Sequence, residues 1–151
     1  MTPPNRRLTV EPDRRRFARG GRRDADRAGR HPIVLIADAY DDARVPIARY
    51  LDRFGFHVIE ASSASEAVDL MNLHRPLVIL SGLLGAQAAL FYSQLSNKLT
   101  AVPSVVIVLA SSVDDPVPRE ATGVLTKPFL LRAMLDEMRR EVRALAARGT
   151  V

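Results

Sequence analysis

The stretch Ile33-Val34-Leu35-Ile36-Ala37-Asp38 decides the fold. It is a short, unbroken apolar run, the pattern of a strand covered on both faces, and it ends on a carboxylate. Asp41 and Asp42 follow where a helix would start, and Val45, Ile47, Ala48, Leu51 and Phe54 recur at helical spacing. Pro46 suits a first turn, and Gly55 ends the segment. The same two elements then repeat. Residues 57–60 read as a second strand, and Ser62 to Ser65 offer N-caps for a helix with Ala67, Val68, Leu70, Met71 and Leu73 as its apolar positions. Arg75-Pro76 breaks that helix, residues 77–80 form a third strand, and residues 86–99 a helix bearing Leu90, Phe91, Leu95 and Leu99. Residues 104–109 and 123–126 read as the fourth and fifth strands. Residues 129–148 form a closing helix with Leu131, Met134, Leu135, Met138, Val142 and Leu145 on one stripe.

This alternation predicts an α/β fold: a doubly wound (βα)5 arrangement with a five-stranded parallel sheet and helices on both faces. In such sheets the working site lies at the carboxyl ends of the strands. The residues expected there are Asp38-Ala39, Glu60, Ser81, Ala110-Ser111 and Lys127. Pro116 and Pro118 lie between the last two strands and rule out a long regular helix, so the fourth helix is expected to be shortened or lost.

The chain has 151 residues, with 22 Lys+Arg against 17 Asp+Glu for a formal charge of +5. Residues 1–30 hold ten arginines and four acids (Glu11, Asp13, Asp24, Asp26), a balance of +6, while residues 31–151 hold 12 basic and 13 acidic groups, a balance of −1. The basicity therefore belongs to the N-terminal segment. With almost no apolar pattern, residues 1–30 are expected to be a disordered Arg-rich arm, followed by a folded domain over 31–148 and a short tail over 149–151. Such an arm could neutralise phosphates, which keeps a nucleic-acid partner through residues 1–30 open as the alternative function. It carries one aromatic, Phe17, and so lacks a stacking platform.

The absence of cysteine excludes a disulfide scaffold, a thiolate zinc site and a cysteine nucleophile. His31, His57 and His74 show no ligand spacing. The apolar runs fall short of the roughly 20 residues that cross a bilayer. Asp13-Arg14-Arg15-Arg16-Phe17 is similar to a twin-arginine export signal, but no apolar stretch follows it. A cytoplasmic location without membrane attachment is expected.

Several motifs in order give a specific resemblance. Residues 33–38, Phe54-Gly55-Phe56 through Ala61, Ser65-Glu66-Ala67 with Asp69-Leu70, and Arg75-Pro76 through Leu80 match the receiver domain of two-component response regulators. The most diagnostic piece is Leu125-Thr126-Lys127-Pro128-Phe129. The resemblance implies a flavodoxin-like fold and a site built on acids after strand one that help hold Mg²⁺ and an aspartate nucleophile after strand three. It also implies a hydroxyl after strand four and a lysine after strand five, commonly followed by a cis proline.

This chain departs from that pattern at most positions. Asp38 keeps the first acid, but the second falls on Ala39, the phosphoacceptor on Ser81, and the strand-four hydroxyl on Ala110, with Ser111 one place later. Lys127 and Pro128 keep their types. No carboxylate lies between Asp69 and Asp114, so no shift of frame restores the nucleophile. Serine needs an adjacent base, and no histidine is placed to serve. We therefore expect no phosphotransfer, no enzymatic activity, a lost Mg²⁺ site and no other cofactor. Asp38 is expected to pair with Lys127, Asp41 and Asp42 to be helix N-terminal charges, and Asp114-Asp115 to be solvated loop. The chain ends within three residues of Arg148, which suggests a stand-alone domain acting in bacterial signalling through a protein partner or a homodimer.

Overall fold

A computed structural model describes residues 32–98, 104–115 and 117–148. The arm expected over 1–30 and the tail over 149–151 lie outside the described residues. Five strands form one parallel sheet: β1 (Ile33–Ala37), β2 (His57–Ala61), β3 (Val78–Ser81), β4 (Val105–Ala110) and β5 (Gly123–Thr126), in the spatial order β2-β1-β3-β4-β5. That is the flavodoxin-like order, which reverses direction beside β1 and opens a crevice between β1 and β3 at their carboxyl ends. The register sets the crevice directly, because Ala37 pairs with both Ala61 and Ser81.

Four helices accompany the strands: α1 (Asp41–Arg53), α2 (Ala64–His74), α3 (Gly85–Lys98) and α4 (Leu131–Ala147). Val34, Ile36, Val78, Leu80, Ile107 and Leu109 face α1 and α4, whereas Leu35, Ile79 and Val106 face α2 and α3. Both faces of the central strands are thus covered, as their continuous hydrophobicity requires. The start of α2 has a local cause. Ser63 accepts from the Glu66 N–H at 3.2 Å, while Glu66 reaches back to the Ser62 N–H at 2.7 Å, closing the first turn of α2. Arg75, in the left-handed region at φ 50°, ends that helix ahead of Pro76.

The fourth helix of a (βα)5 array is absent from the described residues: the link between β4 and β5 forms turns. Its prolines withhold donors, and Asp115 Oδ2 accepts from the Ser111 and Ser112 N–H groups at 2.7 and 3.2 Å. Asp114 and Asp115 lie in a loop, as expected, with Asp114 exposed and Asp115 bracing the turn. The apolar stripes are also narrower than their spacing suggests. Leu73 is 74 % exposed, and Leu90 and Phe54 are about half exposed. Short alanines (Ala64, Ala67, Ala88) bring α2 and α3 close to the sheet, and the flanking leucines fall outside that contact. Leu99 lies outside the described residues.

Candidate functional site

Asp38 follows β1 directly and is 1 % exposed, held by backbone on two sides. Its N–H donates to the Ala61 carbonyl at 3.0 Å, and its Oδ1 accepts from the Tyr40 N–H at 2.9 Å. The other carboxylate oxygen, Oδ2, lies 3.3 Å from Lys127 Nζ. The ion pair expected from the sequence therefore forms, and both oxygens of Asp38 are engaged. Lys127 arrives from the far side of the sheet, its N–H donating to the Ala110 carbonyl at 2.7 Å, and the bond to Pro128 is cis.

Gly82 is the residue that lets the two meet. A Cβ there would stand 2.3 Å from Asp38 Oδ2 and 3.5 Å from Lys127 Nζ, so the carboxylate occupies the volume a side chain would take. Sequence reading missed it because Ser81-Gly82 marks only a local turn, and nothing in it shows that a distant carboxylate takes the place of a side chain.

Ser81 closes β3 with no solvent exposure. Its hydroxyl lies 3.0 Å from the Tyr92 hydroxyl of α3 and 3.4 Å from the Leu83 N–H, and so engages α3 while Asp38 and Lys127 engage each other. Burial pushes the Tyr92 phenol above its ordinary value, opposed by the Ser81 hydrogen bond and reinforced by the Asp115 carboxylate. Tyr92 was invisible to the apolar-stripe reading, in which it sits beside Phe91 as a polar-tipped neighbour. Ala39 and Ser111 are exposed, and Ala110 is buried at the end of β4.

A second cation rims the crevice. Arg44 of α1 donates to the Asp38 carbonyl at 2.9 Å, to Glu60 Oε1 at 2.9 Å and to Asp41 Oδ1 at 2.6 Å. Burial works to lower its pKa, and the bonds to Glu60 and Asp41 outweigh it, so the guanidinium stands above its ordinary value. Glu60 and Asp41 are thereby turned to Arg44.

These contacts define what the site can hold. Mg²⁺ demands octahedral oxygen ligation with one or two carboxylates. Here Asp38 is bound to Lys127, Ala39 offers a methyl group and Ser81 is bound to Tyr92; no cluster of three His, Cys, Asp or Glu suited to a metal occurs among the described residues. The donor set does not fit Mg²⁺. Among the described residues, no imidazole bonds to Ser81. His57 and His74 face each other at 6.5 Å between ring centres, at the amino end of β2 and the end of α2.

With this geometry, the molecule is similar to many solved structures. The response regulator receiver domain from Methanospirillum hungatei JF-1 superposes with a TM-score of 0.66 at 17 % identity, covering 76 % of this chain and 97 % of that one. The chain folds as a receiver domain. Chemotaxis response regulator CheY4 of Vibrio cholerae gives a TM-score of 0.64 at 22 % identity, covering 74 % and 98 %. The pseudo-receiver domain of the CikA protein gives 0.59 at 25 % identity, covering 73 % and 96 %. No family model and no curated protein matches the chain. At the carboxyl ends of the strands of this fold, the Asp38 carboxylate and the Lys127 ammonium form an internal charge pair. No described helix is long and apolar enough to cross a membrane.

Proposed function

We propose that this protein is a cytoplasmic pseudo-receiver that serves bacterial signalling by binding protein partners, without phosphoryl transfer and without Mg²⁺. The observation that carries the reading is the Asp38–Lys127 ion pair beside a buried Ser81. In receivers the lysine meets an incoming phosphoryl group, whose negative charge is the signal. Here a carboxylate of the chain itself supplies negative charge to Lys127, so the contact is made permanently. The likeness to a domain described as a pseudo-receiver supports the same reading. Control then passes to the abundance of the protein or of its partner.

Incubation with a small-molecule phosphodonor and Mg²⁺, followed by intact-mass measurement, tests the chemistry. The mass is expected to stay unchanged; a phosphoryl adduct lost in Ser81→Ala overturns the reading. Calorimetric titration with Mg²⁺ is expected to show no saturable binding. For the partner, pull-down with size-exclusion analysis is expected to recover a defined complex, and an inert monomer that captures nothing counts against a signalling role.

A further inference from the structure

The face shared by α1 and α4 takes no part in the site above. Arg49 and Arg53 stand one turn apart on α1, and Arg132, Arg139 and Arg143 fall on one stripe of α4. All five are exposed, and none forms an ion pair among the described residues. Shallow grooves join them: Arg132 and Arg139 flank Tyr50 and Phe54, Arg49 and Arg53 flank Leu131, and Arg139 and Arg143 flank Pro32 and Phe56. The glutamates of α4 lie on its other side. Glu137 reaches Gly123 of β5 and pairs with Arg140, and Glu141 stands one turn further along the same side. Asp52 and Asp136 are the acids within the grooves, so five positive charges stand against two negative ones on a body whose sum is −1.

The aromatic rings on this face orient guanidinium groups. Arg53 lies 5.9 Å from the Tyr50 ring centre and Arg139 lies 5.8 Å from that of Phe54. With ring faces taken by arginine, the surface is built to meet phosphates, and stacking on unpaired bases is disfavoured. Of the grooves' large apolar residues, Leu135 and Met138 are buried and Leu131 is half-buried; Phe54 is about half exposed, with Arg139 lying over its ring. The successive arginines of α4 are about 10 and 6 Å apart along its axis, a spacing that a backbone with one charge per about 1.7 Å can meet throughout.

We propose that the α1–α4 face binds the phosphate backbone of duplex DNA without reading its sequence. The interaction is independent of whether Ser81 accepts phosphate.

The test uses the full chain and a short fluorescent duplex of arbitrary sequence, with binding followed by anisotropy from about 50 to 200 mM salt. Removing two phosphate contacts in Arg139→Gln/Arg143→Gln is expected to reduce the slope of log K on log salt by about 1.8 and to weaken binding about 60-fold near 0.1 M salt. Arg139→Lys/Arg143→Lys is expected to keep most of the binding, since the charges remain. Arg75→Gln/Arg119→Gln, an equal loss of charge elsewhere, is expected to leave the slope in place; circular dichroism confirms that each variant is folded. The proposal is overturned if the parent fails to bind the duplex, if the face pair binds like the parent, or if the control pair loses as much. It is also overturned if anionic vesicles or polyglutamate are held as tightly as the duplex and released by the same substitutions.

Discussion

Replacing Lys127 with methionine keeps most of its aliphatic volume and leaves Asp38, 1 % exposed, without the ammonium 3.3 Å away. Truncating one partner of a fully buried ion pair costs about 3–5 kcal/mol, and an exposed pair contributes about 0–1 kcal/mol. Lys127 is 29 % exposed, so water screens part of the attraction and the cost falls between these limits, at about 2 kcal/mol. The Tyr40 N–H remains on Asp38 Oδ1 and limits the damage. Urea denaturation should show the midpoint falling by about 1 M, for a denaturant slope near 2 kcal/mol/M. Asp38→Asn removes the charge with little change of shape, and the double variant should cost about 1 kcal/mol less than the sum of the two single changes. A loss below about 0.5 kcal/mol in Lys127→Met, or strict additivity in the cycle, refutes the view that this pair holds the crevice shut.

Gly82→Ala should cost about 2 kcal/mol, because its Cβ displaces Asp38 Oδ2 from a place 2.3 Å away. An NMR signal from the Lys127 ammonium should move in the same variant. Tyr92→Phe removes the partner of a fully buried Ser81 hydroxyl and should cost about 1 kcal/mol. In ultraviolet titration of the three tyrosines, the late-ionising phenol should disappear from that variant, since burial raises Tyr92. Burial lowers the pKa of His74 below its ordinary 6.5, so the unfolded chain binds the extra proton first. Its contribution to stability is complete above pH 6.5 and is lost as the pH falls toward the folded value, and His74→Gln should flatten the stability profile in that window.

The sheet was legible because its strands are buried on both faces and therefore apolar without interruption, as residues 33–37 and 105–110 show. The loss of the fourth helix was legible from Pro116 and Pro118, whose backbone chemistry acts locally. The Asp38–Lys127 pair could be expected because parallel strands bring residues after β1 and β5 to one edge of the sheet. What could not be read depends on side chains meeting across elements. Tyr92 reaches Ser81 from α3, Arg44 gathers Glu60 from β2, and Gly82 matters for a carboxylate 44 positions earlier. Periodicity also overstated the inward stripes at Leu73 and Leu90, since it reports a helix's apolar side without saying how closely the sheet approaches.

The way Asp38, Gly82, Ser81 and Tyr92 interlock bears on the substitutions open to this chain. A single change, Ser81→Asp, would set a second carboxylate at the end of β3, in a position with no solvent exposure, and would break the bond to Tyr92. Placing an acid at position 39 alone would add negative charge beside a carboxylate whose two oxygens are already engaged. Neither change alone assembles a carboxylate cluster, so phosphate chemistry in this crevice would need several substitutions at once, whereas exposed residues elsewhere can change one at a time.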